Sequence, residues 1–136
     1  MLKRFTVSME DNLLADFDDF IRDHHYKNRS EALRDLIRGR TIEKEWEADK
    51  DVMGVISLVY DHHQHKLQEK VTKLQHGFHN QIISTTHVHM DHHNCLEVII
   101  VRGKTGEVRG LTDSLSALRG VRNASLSMSS TGKDLH

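Results

Sequence analysis

Proline is absent from the 136 residues, cysteine occurs once and aromatic residues make up 5%. The lone Cys95 excludes an intramolecular disulfide framework and makes a reducing cytoplasm the simplest compartment. No apolar run approaches the roughly 20 residues that span a bilayer as a helix. The opening "MLKRFTVSMEDN" has no apolar core of secretory-signal length, so no membrane role is expected. The formal net charge is −1 with neutral histidines, and bulk electrostatics therefore names no partner. The absence of proline has no functional reading. What is present, 37% hydrophobic and 29% charged residues, is the composition of a soluble globular chain holding one domain or two very small ones.

Two patterns follow one another along the chain. In "KRFTVSM" (3–9) Phe5, Val7 and Met9 alternate with Arg4, Thr6 and Ser8, the period of a half-buried strand. So short a strand needs a partner from elsewhere. "DNLLADFDDFIRDHH" repeats Leu13, Leu14, Phe17, Phe20 and Ile21 at helical spacing, and a second helix follows "YKNRS", capped by Asn28 or Ser30. That helix is expected to bury Ala32, Leu33, Leu36 and Ile37. One strand and two helices give too little core for an independent monomer. An intertwined dimer, with the two first strands paired as a ribbon, removes the difficulty.

After a charged junction at about 43–51 the pattern changes. "VMGVISLVY" (52–60) reads as a strand and residues 62–79 as a helix through Leu67, Val71, Leu74 and Phe78. "QIISTTHVHM" and "CLEVIIVRG" read as a hairpin. A helix through Val108, Leu111, Leu115 and Leu118 and a last strand, "VRNASLSM", complete β-α-β-β-α-β, the split βαβ of ferredoxin-like sheets. The fold class is α+β: a βαα unit over 1–48, a ferredoxin-like domain over 52–129 and a flexible tail over 130–136.

The chemistry concentrates in "HVHMDHHNC" (87–95), which holds four of the twelve histidines and the only cysteine. Alternation puts His87 and His89 on one face of their strand, about 7 Å apart at the backbone, with Ile82, Val88 and Met90 on the other. If residues 90–94 form the loop, Cys95 lies across from His89 on the same side. Two imidazoles and a thiolate suit nickel, copper or zinc rather than magnesium or calcium. Glu97 follows on that face and can hold an imidazole N–H as an outer partner of a ligand. The bland alternative is a polar surface in a histidine-rich chain. Three ligands fall short of the four usual in a structural site, so water or a further histidine must complete it. His62, His63, His65, His76 and His79 are the nearby candidates, and spacing alone does not choose among them or between subunits.

"RFTVSM", "NRSEALRDLIR", "LVYDH", the helical "LQH", "THVHMDHHNCLEV" and "RGVR" together resemble the nickel-responsive ribbon–helix–helix transcriptional regulators (NikR), from residue 2 to about residue 128. The resemblance implies a ribbon–helix–helix DNA-binding half and an ACT-type ferredoxin-like half, assembled as a homotetramer that is a dimer of dimers. It implies square-planar nickel held by His87, His89 and Cys95 of one subunit and His76 of another. It also implies a palindromic double-stranded DNA operator contacted by Arg4, Thr6 and Ser8 in the major groove, where arginine reads guanine. Asn28, Arg29 and Ser30 would hold backbone phosphate at a helix N-terminus. Family members also bind a cation between the two kinds of domain, which brings Glu31 and Asp35 into play. Ser8 stands where the family often has threonine, so the operator is expected to differ.

The implied function is nickel-dependent repression of nickel-uptake genes in the cytoplasm, without enzymatic activity. Residues 1–50 carry 10 Lys and Arg against 12 Asp and Glu, so phosphate attraction must come from the local bias of Lys27, Arg29, Arg34, Arg38 and Arg40. Two other classes compete. An ACT-domain regulator would answer to another metal or a small ligand. A metal enzyme or buffer would need an open coordination position, with Glu97 as its base. His62, His63, His65, His79, His92 and His93 read as surface residues or as weaker secondary metal sites, His24 and His25 as a helix end, and His136 as tail.

Overall fold

The strongest burial rhythm in the chain belongs to strand β1, Asp51–Asp61, where Val52, Gly54, Ile56, Leu58 and Tyr60 are buried and the residues between them are not. The computed structural model describes every residue except His65. Preceding β1 are helices α1 (Asp11–Asp23) and α2 (Arg29–Glu47). After it come α3 (Leu67–His76), β2 (Ile82–His89), β3 (Asn94–Lys104), α4 (Thr105–Ser116) and β4 (Val121–Met128). The chain divides into two compact units, Met1–Gly39 and Arg40–His136.

In the second unit, the described residues form a four-stranded antiparallel sheet ordered β2-β3-β1-β4. This is the split βαβ order expected from the sequence. One sheet face packs on the helices: Val52, Ile56, Leu58 and Tyr60 of β1 and Cys95, Ile99 and Val101 of β3 meet Leu67 and Val71 of α3 and Val108, Leu111 and Leu115 of α4. Each such aliphatic side chain contributes about 1.5–3 kcal/mol by leaving water. The opposite face carries none of these helical side chains and presents Met53, Val55, Val59, Leu96, Val98 and Ile100, all half-buried.

Several elements depart from the expected pattern for definable reasons. Helix α3 starts at Leu67, not at 62, because Lys66 takes a left-handed conformation (φ 61°) and Asp61 Oδ1 accepts the His63 N–H at 2.9 Å, closing a turn. It ends at His76, and the expected stretch to 79 is a series of turns. Ile82, expected on the face opposite His87 and His89, packs against the core, because the register shifts between Ile82 and Ser84. Within "EKEWEADKD", Trp46 is only 3% exposed and its indole Nε1 donates to Ser129 O at 2.8 Å. Residues 40–47 therefore belong with the second unit and not to a solvated junction.

The first unit has little interior of its own. Ala32 is its one fully buried residue among those described, α1 buries none, and Leu36 and Ile37 are 48% and 57% exposed rather than inward. Residues 3–9, read as a strand, form no strand pairing within the single chain, and Phe5 and Val7 are exposed. A lone strand has no partner for its backbone groups. Asn28 caps α2, its Oδ1 accepting the Glu31 N–H at 2.8 Å, while Glu31 Oε2 accepts the Lys27 N–H at 3.2 Å.

The corner around Gly54 is packed tightly enough to be tested. A Cβ there would stand 3.1 Å from Leu126, 3.2 Å from Trp46 and 3.3 Å from Val108. Gly54→Val should lower the unfolding free energy by about 1–3 kcal/mol through overpacking. Urea denaturation followed by Trp46 fluorescence would measure this, and an unchanged midpoint would mean the corner is loose.

Candidate metal centre

The β2–β3 hairpin carries most of the chemistry, and its register decides which side chains share a face. His89 pairs with Cys95 and His87 with Glu97, so all four lie on the helix-covered face. Tyr60 on β1 pairs with Cys95 from the other side. The hairpin turn is held by Asp91, whose Oδ1 accepts the N–H groups of His93 and Asn94 at 2.8 Å each and whose Oδ2 accepts Asn94 Nδ2 at 3.2 Å.

Cys95 is fully buried. Its Sγ lies 3.4 Å from His89 Nδ1 and 3.2 Å from His62 Nδ1. Among the described residues, these three form the one group of histidine, cysteine and carboxylate donors whose atoms all fall within 4.8 Å of one another. Sulfur and nitrogen bound to one ion at ~2.3 and ~2.0 Å stand roughly 3.1–3.5 Å apart between right-angle and tetrahedral geometry. The observed spacings fit that range, and the donor set fits a borderline-soft divalent ion.

From the sequence His62 is one of several candidates to complete the site, and otherwise a surface residue or a weaker secondary site. The fold brings it to Cys95. The turn after β1 is joined to the hairpin by the His62 N–H donating to His93 O at 3.1 Å, which brings the His62 ring over Cys95. A helix starting at 62 would have hidden that possibility, and only the broken "DHHQH" pattern hinted at it.

His87 lies beside the trio, its ring centre 5.0 Å from that of His89. Its Nδ1 is turned to Glu97 Oε1 at 3.6 Å and the Tyr60 hydroxyl at 3.4 Å. Glu97 is nearly buried and also accepts Gln75 Nε2 at 2.7 Å, as a desolvated carboxylate requires. His76 does not join the group. It ends α3, exposed, with its ring centre 6.2 Å from that of His79 and its carbonyl accepting His79 Nδ1 at 3.1 Å.

The electrostatics favour a cation. Burial first, then the charges of Glu97, Asp61 and Asp91, push the Cys95 thiol above its ordinary range. Burial first, then neighbouring imidazoles, push His62 down, which keeps a lone pair available at neutral pH. Burial, helped by Glu97 and Cys95, pushes Tyr60 up to about 12, so its phenol stays protonated. The same anions that penalise a bare thiolate attract a dication that would stabilise one.

The residues proposed for DNA lie in the first unit. Arg4, Thr6 and Ser8 are exposed. Arg29 is already engaged, donating Nε and Nη2 to the two carboxylate oxygens of Asp18 at 3.0 Å each. That pairing holds Asp18 below the usual carboxylate range. Of the two carboxylates considered for a cation, Asp35 accepts the Tyr26 hydroxyl and Glu31 serves the α2 cap.

Comparison with known proteins accords with these features. Residues 53–129 match the family model described as the NikR C-terminal nickel-binding domain. The whole chain is 65% identical to the whole of a protein of Desulfotalea psychrophila. It is 49% identical to one of Syntrophus aciditrophicus, covering 96% of this chain and 95% of that one. It is 48% identical to one of Geobacter sulfurreducens, covering 98% and 96%. All three are named as nickel-responsive regulators. An uncharacterized protein of Thermotoga maritima, 15% identical, covers 58% of this chain and 98% of its own with a TM-score of 0.53, a likeness of fold alone.

Asp91 provides a pH test of the hairpin. Its hydrogen bonds to the Asn94 and His93 N–H groups hold its pKa down to about 2, below the ordinary ~3.9. The stabilisation is therefore complete above pH ~4 and lost as pH falls through 2. Asp91→Ala should speed amide exchange at His93 and Asn94 at neutral pH. It should also remove the acid-dependent loosening between pH ~4 and 2, as followed by NMR.

Proposed function

Because the chain belongs to the family of nickel-responsive regulators that carry the NikR C-terminal nickel-binding domain, we propose that nickel bound at Cys95 is shared between subunits and thereby controls assembly on DNA. The protein is a nickel-binding transcriptional regulator and not an enzyme. The observation that carries the reading is the buried Cys95 thiol, facing His89 across the hairpin and enclosed by imidazole.

The proposed ligands are His87, His89 and Cys95 of one subunit and His76 of a neighbour. The exposure of His76, away from Cys95 in its own chain, supports a ligand offered outward. Glu97 orients His87 through its Nδ1 side. Bound there, nickel would supply a d8 centre suited to these strong-field nitrogen and thiolate donors. This chain's residues then do the rest: Glu97 and Gln75 hold the His87 ring, Asp91 sets the hairpin, and burial keeps water from the thiol. A ligand from across the interface means that binding energy is spent on assembly as well as on the local fold.

Two apolar surfaces support a dimer of dimers. The second unit offers the half-buried sheet face of Met53, Val55, Val59, Leu96, Val98 and Ile100. The first unit exposes Phe5, Val7, Leu13, Leu36 and Ile37, more apolar surface than so small a unit leaves in water when it works alone. A paired ribbon of residues 3–9 would bury Phe5, Val7 and Met9 and turn Arg4, Thr6 and Ser8 to a palindromic operator. Asn28, Arg29 and Ser30 open α2 toward phosphate, with Arg29 oriented by Asp18. Glu31 and Asp35, one helical turn apart, are the carboxylates a supporting cation would use. The response is read as repression of nickel uptake, in the cytoplasm; among the described residues no helix is long and apolar enough to cross a membrane.

The position of His62 favours a second ligand set, His62–His89–Cys95 within one subunit. Single alanine variants separate the two by the thiolate-to-nickel absorption band. Loss of the band in His76→Ala and His87→Ala, but not in His62→Ala, supports the shared site; the reverse pattern supports the second set.

Nickel should raise operator affinity by about 5- to 150-fold at fixed salt, and Cys95→Ala should abolish that gain while the protein stays folded. Fluorescence anisotropy with operator DNA measures it. Equal affinity with and without nickel would sink the proposal.

A further inference from the structure

Beyond the Cys95 centre, two neighbouring turns gather imidazoles that no ligand set above uses. The turn after β1 and the β2–β3 turn are tied together by the His62 N–H on His93 O. Each is pinned by its own aspartate, Asp61 on the His63 N–H and Asp91 on the His93 and Asn94 N–H groups. On these two turns stand His63, His92 and His93, all exposed.

Their rings form a near-equilateral triangle. Ring centres are 5.3 Å apart for His63 and His92, 5.5 Å for His63 and His93, and 5.0 Å for His92 and His93. An ion bound by three imidazole nitrogens at ~2.0–2.1 Å in tetrahedral geometry holds the ring centres roughly 5 Å apart. His63 Nε2 donates to His92 O at 2.7 Å, which leaves Nδ1 as its lone-pair nitrogen. A ligating histidine commonly has its other nitrogen held by a carbonyl in this way. The nitrogens of the three rings do not yet converge as those of the Cys95 group do. The His92 and His93 rings are exposed and can turn about χ1 and χ2 toward His63 Nδ1, on a backbone pinned by the two aspartates.

We propose that His63, His92 and His93 form a second, outer metal site that binds a divalent nickel, copper or zinc ion through imidazole alone. Without thiolate or burial it binds more weakly than the Cys95 centre and exchanges its ion with solvent. An ion held there joins the β1–α3 turn to the β2–β3 turn. The His63 ring centre is 4.1 Å from that of His62, so the outer site borders the inner one while sharing none of its proposed ligands.

The test uses the full-length chain and nickel alone. Equilibrium dialysis with elemental analysis counts total nickel, and the thiolate-to-nickel absorption band reports the Cys95 centre separately. The wild-type chain should retain one nickel more than a His63→Ala/His92→Ala/His93→Ala variant, with the band equal in both. Cys95→Ala should lose the band and keep the outer ion, which separates failure of the inner reading from failure of this one. Equal nickel in the wild-type and triple-variant chains would overturn the proposal. So would loss of the band in the triple variant, since the three histidines would then belong to the inner centre. Because all three side chains are exposed, the variant should fold as the parent does, and circular dichroism checks that.

Discussion

A slip of one residue between β2 and β3 would turn His87 and His89 to the far face of the sheet and leave Cys95 alone in the core. The metal chemistry of the chain depends on that register. Several independent features hold it: Asp91 closes the turn on three donors, Ile99 and Val101 lie in the core, and Glu97 is desolvated where it meets His87 and Gln75. The register shift near Ile82 is confined to the end of the hairpin away from the site. It lets Ile82 join the core without altering the alternation from Thr85 to His89.

Much of this was legible in the sequence because it is a matter of period. The alternation of "HVH", the loop length to Cys95 and the βαββαβ order all follow from residues near one another in the chain. What escaped was set by tertiary contact or by a single backbone conformation. His62 reaches Cys95 because its N–H bonds to His93 O, a partner 31 positions away, and because Lys66 delays the helix. Trp46 sits in a run of charge that reads as a junction, yet its ring finds the space above Gly54. No local pattern announces that a glycine on another element will make room for an indole.

The two units differ in how far one chain can satisfy them. The second has an interior from both sheet and helices, and its central strands β1 and β3 are each paired on both sides. The first exposes on α1, on α2 and on residues 3–9 the apolar residues whose spacing marks them as interior. The expectation that Leu36 and Ile37 face inward and their exposure in a single chain describe the same surface, which a second copy would bury. Under the proposed dimer, the periodicity describes the assembly and the burial describes the single chain.

Cys95 shows why such a chain answers to a metal rather than to a proton. Burial and three nearby carboxylates oppose ionisation of its thiol, and burial opposes charge on His62. Both shifts favour the uncharged form of the side chain concerned. A divalent ion reverses both terms together: it stabilises the thiolate, takes the imidazole lone pairs and draws on the field of Glu97, Asp61 and Asp91. Protons compete with it at the same atoms, but no proton can join donors from two chains. In the shared site proposed above, an ion collecting four ligands would do so, and the energy gained would be available to order the surfaces proposed to meet DNA.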